Sequence, residues 1–193
     1  MARGFTEQEK VMIRQSLIDV FEKELTKNKL NKISIDEIVK KVGISKGAFY
    51  NFFPSKEMLF LQVLEDTQEK IVQEVMTIVN TKNKSNKENL KDIFLLIVDK
   101  LLTHQWITRM SSVEFVRKLP AEYKERLTSQ DIIDFQKILK LLNLTCNIPM
   151  EQLIIMVQML LLSTTGANDF GQEYRNTIKE FINLMVDNLI EEK

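Results

Sequence analysis

The chain has 193 residues, 44% of them hydrophobic, with 27 Lys and Arg against 27 Asp and Glu, so it has enough apolar content for a sizeable core and no bulk charge to mark a polyanion binder. One cysteine, Cys146, excludes an intrachain disulfide framework, and with one histidine, His104, no Cys/His metal cluster or nucleophile pair can be assembled. Catalysis is therefore not expected, and neither is a metal or cofactor.

Five Gly and three Pro leave few breaks, and the apolar spacing is helical almost throughout, so the expected class is all-α, with no alternating run to suggest a sheet. The segment MARGFTEQEK has no apolar signal region. The longest apolar stretch, Leu153 to Leu162 interrupted by Gln158, is short for a bilayer span. The expected location is the cytoplasm, with no membrane partner.

In chain order, a capping box from Thr6 to Glu9 opens a first helix running to about Leu25. A second capping pattern, Ser34 to Glu37, opens a helix with Ile35, Ile38, Val39 and Val42 as its buried stripe and Gly43 as its stop. Ser45 caps the next helix, whose first turn, Lys46-Gly47-Ala48, carries little bulk beyond one lysine. Such a turn suits the end of a helix that enters a major groove and brings its first residues to base edges. Phe49, Phe52 and Phe53 are expected inward, with Tyr50 and Asn51 outward as donors to phosphate. Pro54 ends this helix and Ser55 caps another, in which Lys56 places a cation where only an intervening anion makes it favourable.

These residues, GISKGAFYNFFPSKE, resemble the helix-turn-helix signature of the TetR family of bacterial transcriptional regulators. Upstream, Ile13, Ser16-Leu17 and Val20-Phe21 fall at the family's intervals, although Ser16-Leu17 replaces the usual small pair. The stretch Leu25 to Lys32 departs more, being longer and lysine-rich where the family has a short Gly-containing turn. The resemblance covers about the first third of the chain. It implies an N-terminal three-helix DNA-binding domain (residues 1–54) and a C-terminal helical effector-binding and dimerisation domain (55–193), with 55–80 as connecting helix and lever. It also implies a homodimer through the last two major helices.

The charge distribution agrees with DNA contact by the first region. Residues 1–60 carry 11 basic and 8 acidic side chains, and Lys23 to Lys56 carry 8 and 3. The expected DNA-contacting residues are Ser34, Ser45, Lys46, Gly47, Ala48, Tyr50, Asn51 and Lys56, with Arg3 reaching a minor groove from an N-terminal arm.

Beyond Val79, residues 81–87 read as a polar linker. Helices then follow at about 88–104, 107–118, 121–127 and 130–144. Candidates for an apolar effector cavity are His104, Trp106, Met110 and Phe115, followed by Tyr123, Phe135, Met156 and Met159, which combine polar-tipped aromatics with adaptable thioethers. From Met150 to Leu162, 10 of 13 residues are apolar, so that helix lacks a polar face. A final helix, 172–191, carries a wide apolar stripe. The expected dimer interface is Leu153, Val157, Leu160 and Leu161 with Ile178, Phe181, Ile182, Met185 and Leu189, in an isologous four-helix arrangement. Together these imply a sequence-specific regulator, a repressor on a palindromic operator released by a small apolar or amphipathic effector. The alternative is an effector-independent nucleoid-associated factor using the same motif.

Overall fold

The computed structural model describes residues 5–108 and 135–193. Arg3, Met110, Phe115 and Tyr123, and the helices expected at 107–118 and 121–127, lie outside the described residues or nearly so. The described chain divides into two compact units, one reaching Thr67 and the other beginning at Gln68. The first thus continues past Pro54, where the sequence places the end of the DNA-binding domain.

The first unit is helical. α1 (Glu7–Lys27) starts at the Thr6 capping box, in which the Glu9 amide donates to Thr6 Oγ1 at 3.2 Å and the Thr6 amide donates to Glu9 Oε2 at 2.7 Å. A 3-10 turn (Leu30–Lys32) leads into α2 (Ile35–Val42), and α3 (Lys46–Phe49) precedes α4 (Lys56–Val79), whose first turn is capped by Ser55 Oγ accepting from the Met58 amide. Leu17, Phe21 and Leu25 of α1 are buried, as are Ile38 and Val39 of α2, Phe49 and Phe53, and Leu59, Phe60, Val63 and Leu64 of α4. Burial of those α4 residues carries the first unit to Thr67.

The second unit contains the rest of α4, α5 (Asn86–Thr103) and α6 (Gln105–Thr108), then α7 (Phe135–Leu141), α8 (Met150–Ser163) and α9 (Tyr174–Leu189). Its core gathers Ile71 and Val75, Leu90, Ile93, Phe94 and Val98, Ile138 and Leu139, Leu153 and Leu160, and Ile178, Ile182, Met185 and Val186. α5 begins two residues before its expected start, because Ser85 and Glu88 form a second capping box.

Two strands that helical periodicity does not reveal pair antiparallel: β1 (Leu144–Cys146) and β2 (Ile190–Glu192), with Thr145 opposite Glu191. Three-residue strands are too short to show alternation, and β2 cuts the last helix off at Leu189. Asn143, at φ 54°, turns the chain from α7 into β1, consistent with the tolerance of asparagine for the left-handed region.

The helical run Met150–Leu189 is long and apolar enough, by length and composition alone, to cross a bilayer. It is not one helix. A 3-10 segment (Thr164–Glu173) separates α8 from α9, Gly171 breaks it at φ 69°, and Leu153, Val157 and Leu160 belong to the unit's own core.

Candidate nucleic-acid interface

α2 and α3 form the expected pair. Ser34 caps α2, but its Oγ accepts from the Asp36 amide at 3.2 Å, so the reciprocal box expected with Glu37 does not form. Gly43 ends the helix at φ 80° and donates to the Val39 carbonyl, which the Ile44 amide shares at 3.0 Å. Nothing lies within 4 Å of the place a Cβ would take at Gly43, so the backbone conformation is what requires glycine there.

Ser45 Oγ accepts from the Ala48 amide at 3.1 Å and starts α3. α-Helical geometry lasts only to Phe49. The chain then tightens, with Asn51 donating to Ala48 O and Phe52 to Phe49 O, before Pro54 ends it. Phe49 and Phe53 are buried with ring centroids 6.2 Å apart, and the Arg14 guanidinium sits 4.5 Å from the Phe53 centroid while donating to Gln62. Phe52, expected inward with them, is only half-buried and meets Phe5 at 6.1 Å.

The outward residues lie on one short stretch. Ser45, Lys46, Gly47, Tyr50 and Asn51 are exposed, and Ala48 and Ser34 are half-buried. The Tyr50 ring stands edge-on to Phe49 at 5.3 Å, and the residue is 49% exposed. Gly47 has ordinary helical backbone, and a Cβ there would meet only Ser45 Oγ, at 3.9 Å. Within the fold, alanine would therefore fit without strain and be more stable by roughly 0.4–1 kcal/mol, chiefly by restricting the unfolded chain. Lys46 Nζ lies 3.0 Å from Asp36 Oδ2, and this hydrogen bond raises its pKa above the usual lysine range.

Lys56 corrects the expectation of a cation offered to phosphate. Its ammonium is half-buried and donates to two main-chain carbonyls, Leu30 O at 3.0 Å and Ile33 O at 2.9 Å. The residue holds the α1–α2 turn. Asp36 as the partner of Lys46 was not legible in the sequence, because the contact joins residues ten apart across a turn.

In the second unit, His104 and Trp106 are neighbours, their rings at 6.0 Å and nearly perpendicular, and His104 Nδ1 lies 3.1 Å from Lys100 O. Trp106 is buried, Phe135 packs on Phe94 at 5.4 Å, and Met156 is half-buried against the core. Met159 does not belong with them, since it is 65% exposed. Of the nine residues expected at a dimer interface, Phe181 alone is exposed. Leu153, Val157, Leu160, Ile178, Ile182 and Met185 are buried in this chain's own core, and Leu161 and Leu189 are half-buried against it. The residues left uncovered on these helices are Ile155, Met159 and Leu162, spaced i, i+4, i+7 on α8, and Phe181 and Leu184 on α9. Both faces of α8 are apolar, so periodicity alone could not tell which one turns inward.

Comparison with known proteins is consistent with this geometry. Residues 18–63 match the family described as bacterial regulatory proteins, tetR family. Over 99 residues, 51% of this chain, the sequence is 33% identical to an uncharacterized HTH-type transcriptional regulator, YuxN of Bacillus subtilis, and that match spans 32% of the relative's length. Among solved structures, a tetR-family transcriptional regulator from Streptomyces coelicolor superposes with a TM-score of 0.64 at 17% identity, covering 89% of this chain and 78% of that one. FadR from Bacillus subtilis, solved in complex with stearoyl-CoA, gives 0.63 at 16% identity, covering 89% and 97%. At such identities the structural likenesses establish the fold.

Proposed function

We propose, from the premise that the N-terminal domain of this chain belongs to the TetR family of bacterial regulatory proteins, that the protein is a transcriptional regulator which reads a palindromic operator as a homodimer. Gly47 is the observation that carries the reading. The fold has room for a side chain there and would be steadier with one, so the bare backbone suits close approach by something outside the chain. At the first turn of the second helix of a helix-turn-helix, that partner is the edge of a base pair.

Two copies supply the symmetry. The apolar residues left on α8 and α9, namely Ile155, Met159, Leu162, Phe181 and Leu184, are the surface that would pair with itself about a two-fold axis. A dimer would place its recognition helices on half-sites about 34–36 Å apart, or a multiple of that. An effector that prefers one arrangement of the dimer would change DNA affinity by its differential affinity for the two states, typically ~1–3 kcal/mol. The Bacillus subtilis FadR structure holds stearoyl-CoA, and the core of this chain's second unit is dominated by Leu, Ile and Val, so long-chain acyl compounds are the first effector class to try. Repression relieved by the effector is the simplest form of the switch, acting in the cytoplasm on the chromosome.

The test is selection of bound sequences from a random duplex library by the purified protein at near-physiological salt. An inverted repeat is the expected product. Enrichment of no sequence, with duplex still bound, would replace this reading with that of a nucleoid-associated factor, and no binding at any salt would remove DNA from the account.

A further inference from the structure

The segment joining α1 to α2 is held in a defined shape while its charges are left unused. Within it the Lys32 amide donates to Lys29 O at 2.9 Å and the Ile33 amide donates to Leu30 O at 3.3 Å, closing the 3-10 turn. Ile33 is buried and anchors the segment to the core. Lys56 clamps it through the carbonyls of Leu30 and Ile33. Every one of these restraints acts on the main chain or on an apolar side chain, and none engages the ammonium of Lys29 or Lys32.

The local charge balance is one-sided. Between Lys23 and Lys56 there are three carboxylates, and two are committed: Glu24 Oε1 to Lys41 Nζ at 2.6 Å, and Asp36 Oδ2 to Lys46 Nζ at 3.0 Å. Lys27 at the end of α1 and Lys29 and Lys32 of the turn are exposed, and none makes a salt bridge among the described residues, although the Lys27 charge adds to that of Lys41 in lowering the Glu24 pKa. Along the chain the cluster also lies near the recognition element. One helical turn's length of chain beyond Lys32 lies Asp36, which touches the first residue of α3, and the clamp Lys56 follows closely on the Pro54 that ends the α3 segment.

We propose that the Lys27-Lys29-Lys32 cluster is a second DNA-contacting element, a preset cationic turn that takes backbone phosphates flanking the half-site read by α3. The proposal rests on the DNA-binding reading above and extends its footprint beyond the helix-turn-helix. Three unpaired ammonium groups match a polyanion that carries one charge per ~1.7 Å of duplex axis. Contacts to phosphate carry no sequence information, so the turn adds affinity and register without altering which bases are preferred. Because the main chain is already fixed, little loop ordering opposes the contact.

The experiment compares three full-length proteins: the parent, the triple variant Lys27→Gln/Lys29→Gln/Lys32→Gln, and a control triple, Lys70→Gln/Lys82→Gln/Lys179→Gln. The control removes the same charge from exposed lysines elsewhere. Each is titrated against a selected duplex and a scrambled duplex from about 50 to about 200 mM salt, and circular dichroism checks that the fold is retained. The turn variant should bind both duplexes more weakly by a similar factor. Its slope of log affinity against log salt should fall by about two to three, at roughly 0.9 for each phosphate that is no longer neutralised, while the control keeps the parental slope. A parental slope in the turn variant would overturn the proposal, as would an equal fall in the control, which would make the effect one of net charge. A parent that binds neither duplex even at the lowest salt would overturn this inference together with the DNA-binding reading. A loss confined to the selected duplex would make these lysines base readers and overturn the phosphate assignment.

Discussion

Lys46 and Asp36 hold each other at 3.0 Å across the turn of the helix-turn-helix, and both are exposed, so the first side chain of α3 is parked on a carboxylate in the unbound protein. A pair so open to solvent contributes little to folding. Its weight falls on binding, because the Asp36 charge both occupies Lys46 and repels phosphate. Asp36→Asn should leave thermal stability almost unchanged and tighten duplex binding several-fold at low salt, with the gain shrinking as salt rises. Fluorescence anisotropy at two salt concentrations measures this; weaker binding would mean that Asp36 positions Lys46 rather than restraining it.

Lys56 is the opposite case, a cation withdrawn into the fold. Lys56→Met keeps the stem and deletes both hydrogen bonds to the turn, and since bonds from a charged donor contribute ~1.5–3 kcal/mol, a loss of roughly 1–3 kcal/mol is expected after solvent replaces part of them. Chemical denaturation gives the number. DNA affinity should fall too, through a loosened turn, and the fall should be larger than a single phosphate contact explains.

Acid should weaken α1 and α5 at their starts. The carboxyl of Glu9 is held below the usual carboxylate range by the Thr6 amide and hydroxyl, and that of Glu88 likewise by Ser85. A group whose folded pKa is depressed stabilises the fold above its unfolded pKa, and that contribution disappears as pH falls through the folded value. Melting temperature should therefore drop between about pH 5 and the lower pKa values of the two boxes. In Glu9→Gln/Glu88→Gln the melting temperature should start lower at neutral pH and fall less on acidification. An identical acid profile in this variant would assign the loss to other carboxylates.

The second unit offers a direct contrast between core and surface. Leu153 is fully buried, and Leu153→Ala should cost about 2–5 kcal/mol in denaturant unfolding. On the same helix, Ile155→Ser/Met159→Ser/Leu162→Ser alters only exposed positions. That variant should change molar mass in light scattering from dimer to monomer while keeping its helical circular dichroism. Persistence of the dimer would place the two-fold contact elsewhere.

Gly43 and Gly47 separate two reasons for a glycine. Gly43→Ala meets no steric obstacle but forces a Cβ to φ 80°, and should destabilise by roughly 1–2 kcal/mol. Gly47→Ala should stabilise slightly and change the preferred operator sequence, readable by repeating the library selection.

Much of the first unit could be read from the sequence because its signals are local. The caps at Thr6, Ser45 and Ser55, the stop at Gly43 and the stripe through Ile38 and Val39 each depend on neighbours within one or two turns. What could not be read depends on contacts between distant residues or on a choice between two equivalent patterns. Lys56 reaches 23 and 26 residues back along the chain, β1 pairs with a strand at the far end of the second unit's sequence, and α8 has two apolar faces of which only one is inward. Ser85 was concealed differently, its capping box lying inside a run of Lys and Asn that reads as linker.

The manner in which Lys56 holds the α1–α2 turn has a bearing on how such a protein changes over generations. Its ammonium grips the carbonyl oxygens of Leu30 and Ile33, a group every residue type supplies, so this hold asks nothing of the side chains at positions 29 and 32. Charge at the turn is thereby an adjustable quantity. If the turn takes phosphate as proposed, exchange of either lysine for a neutral or acidic residue would reset the strength of that hold without remaking a main-chain bond, leaving a lineage free to trade occupancy against release one substitution at a time.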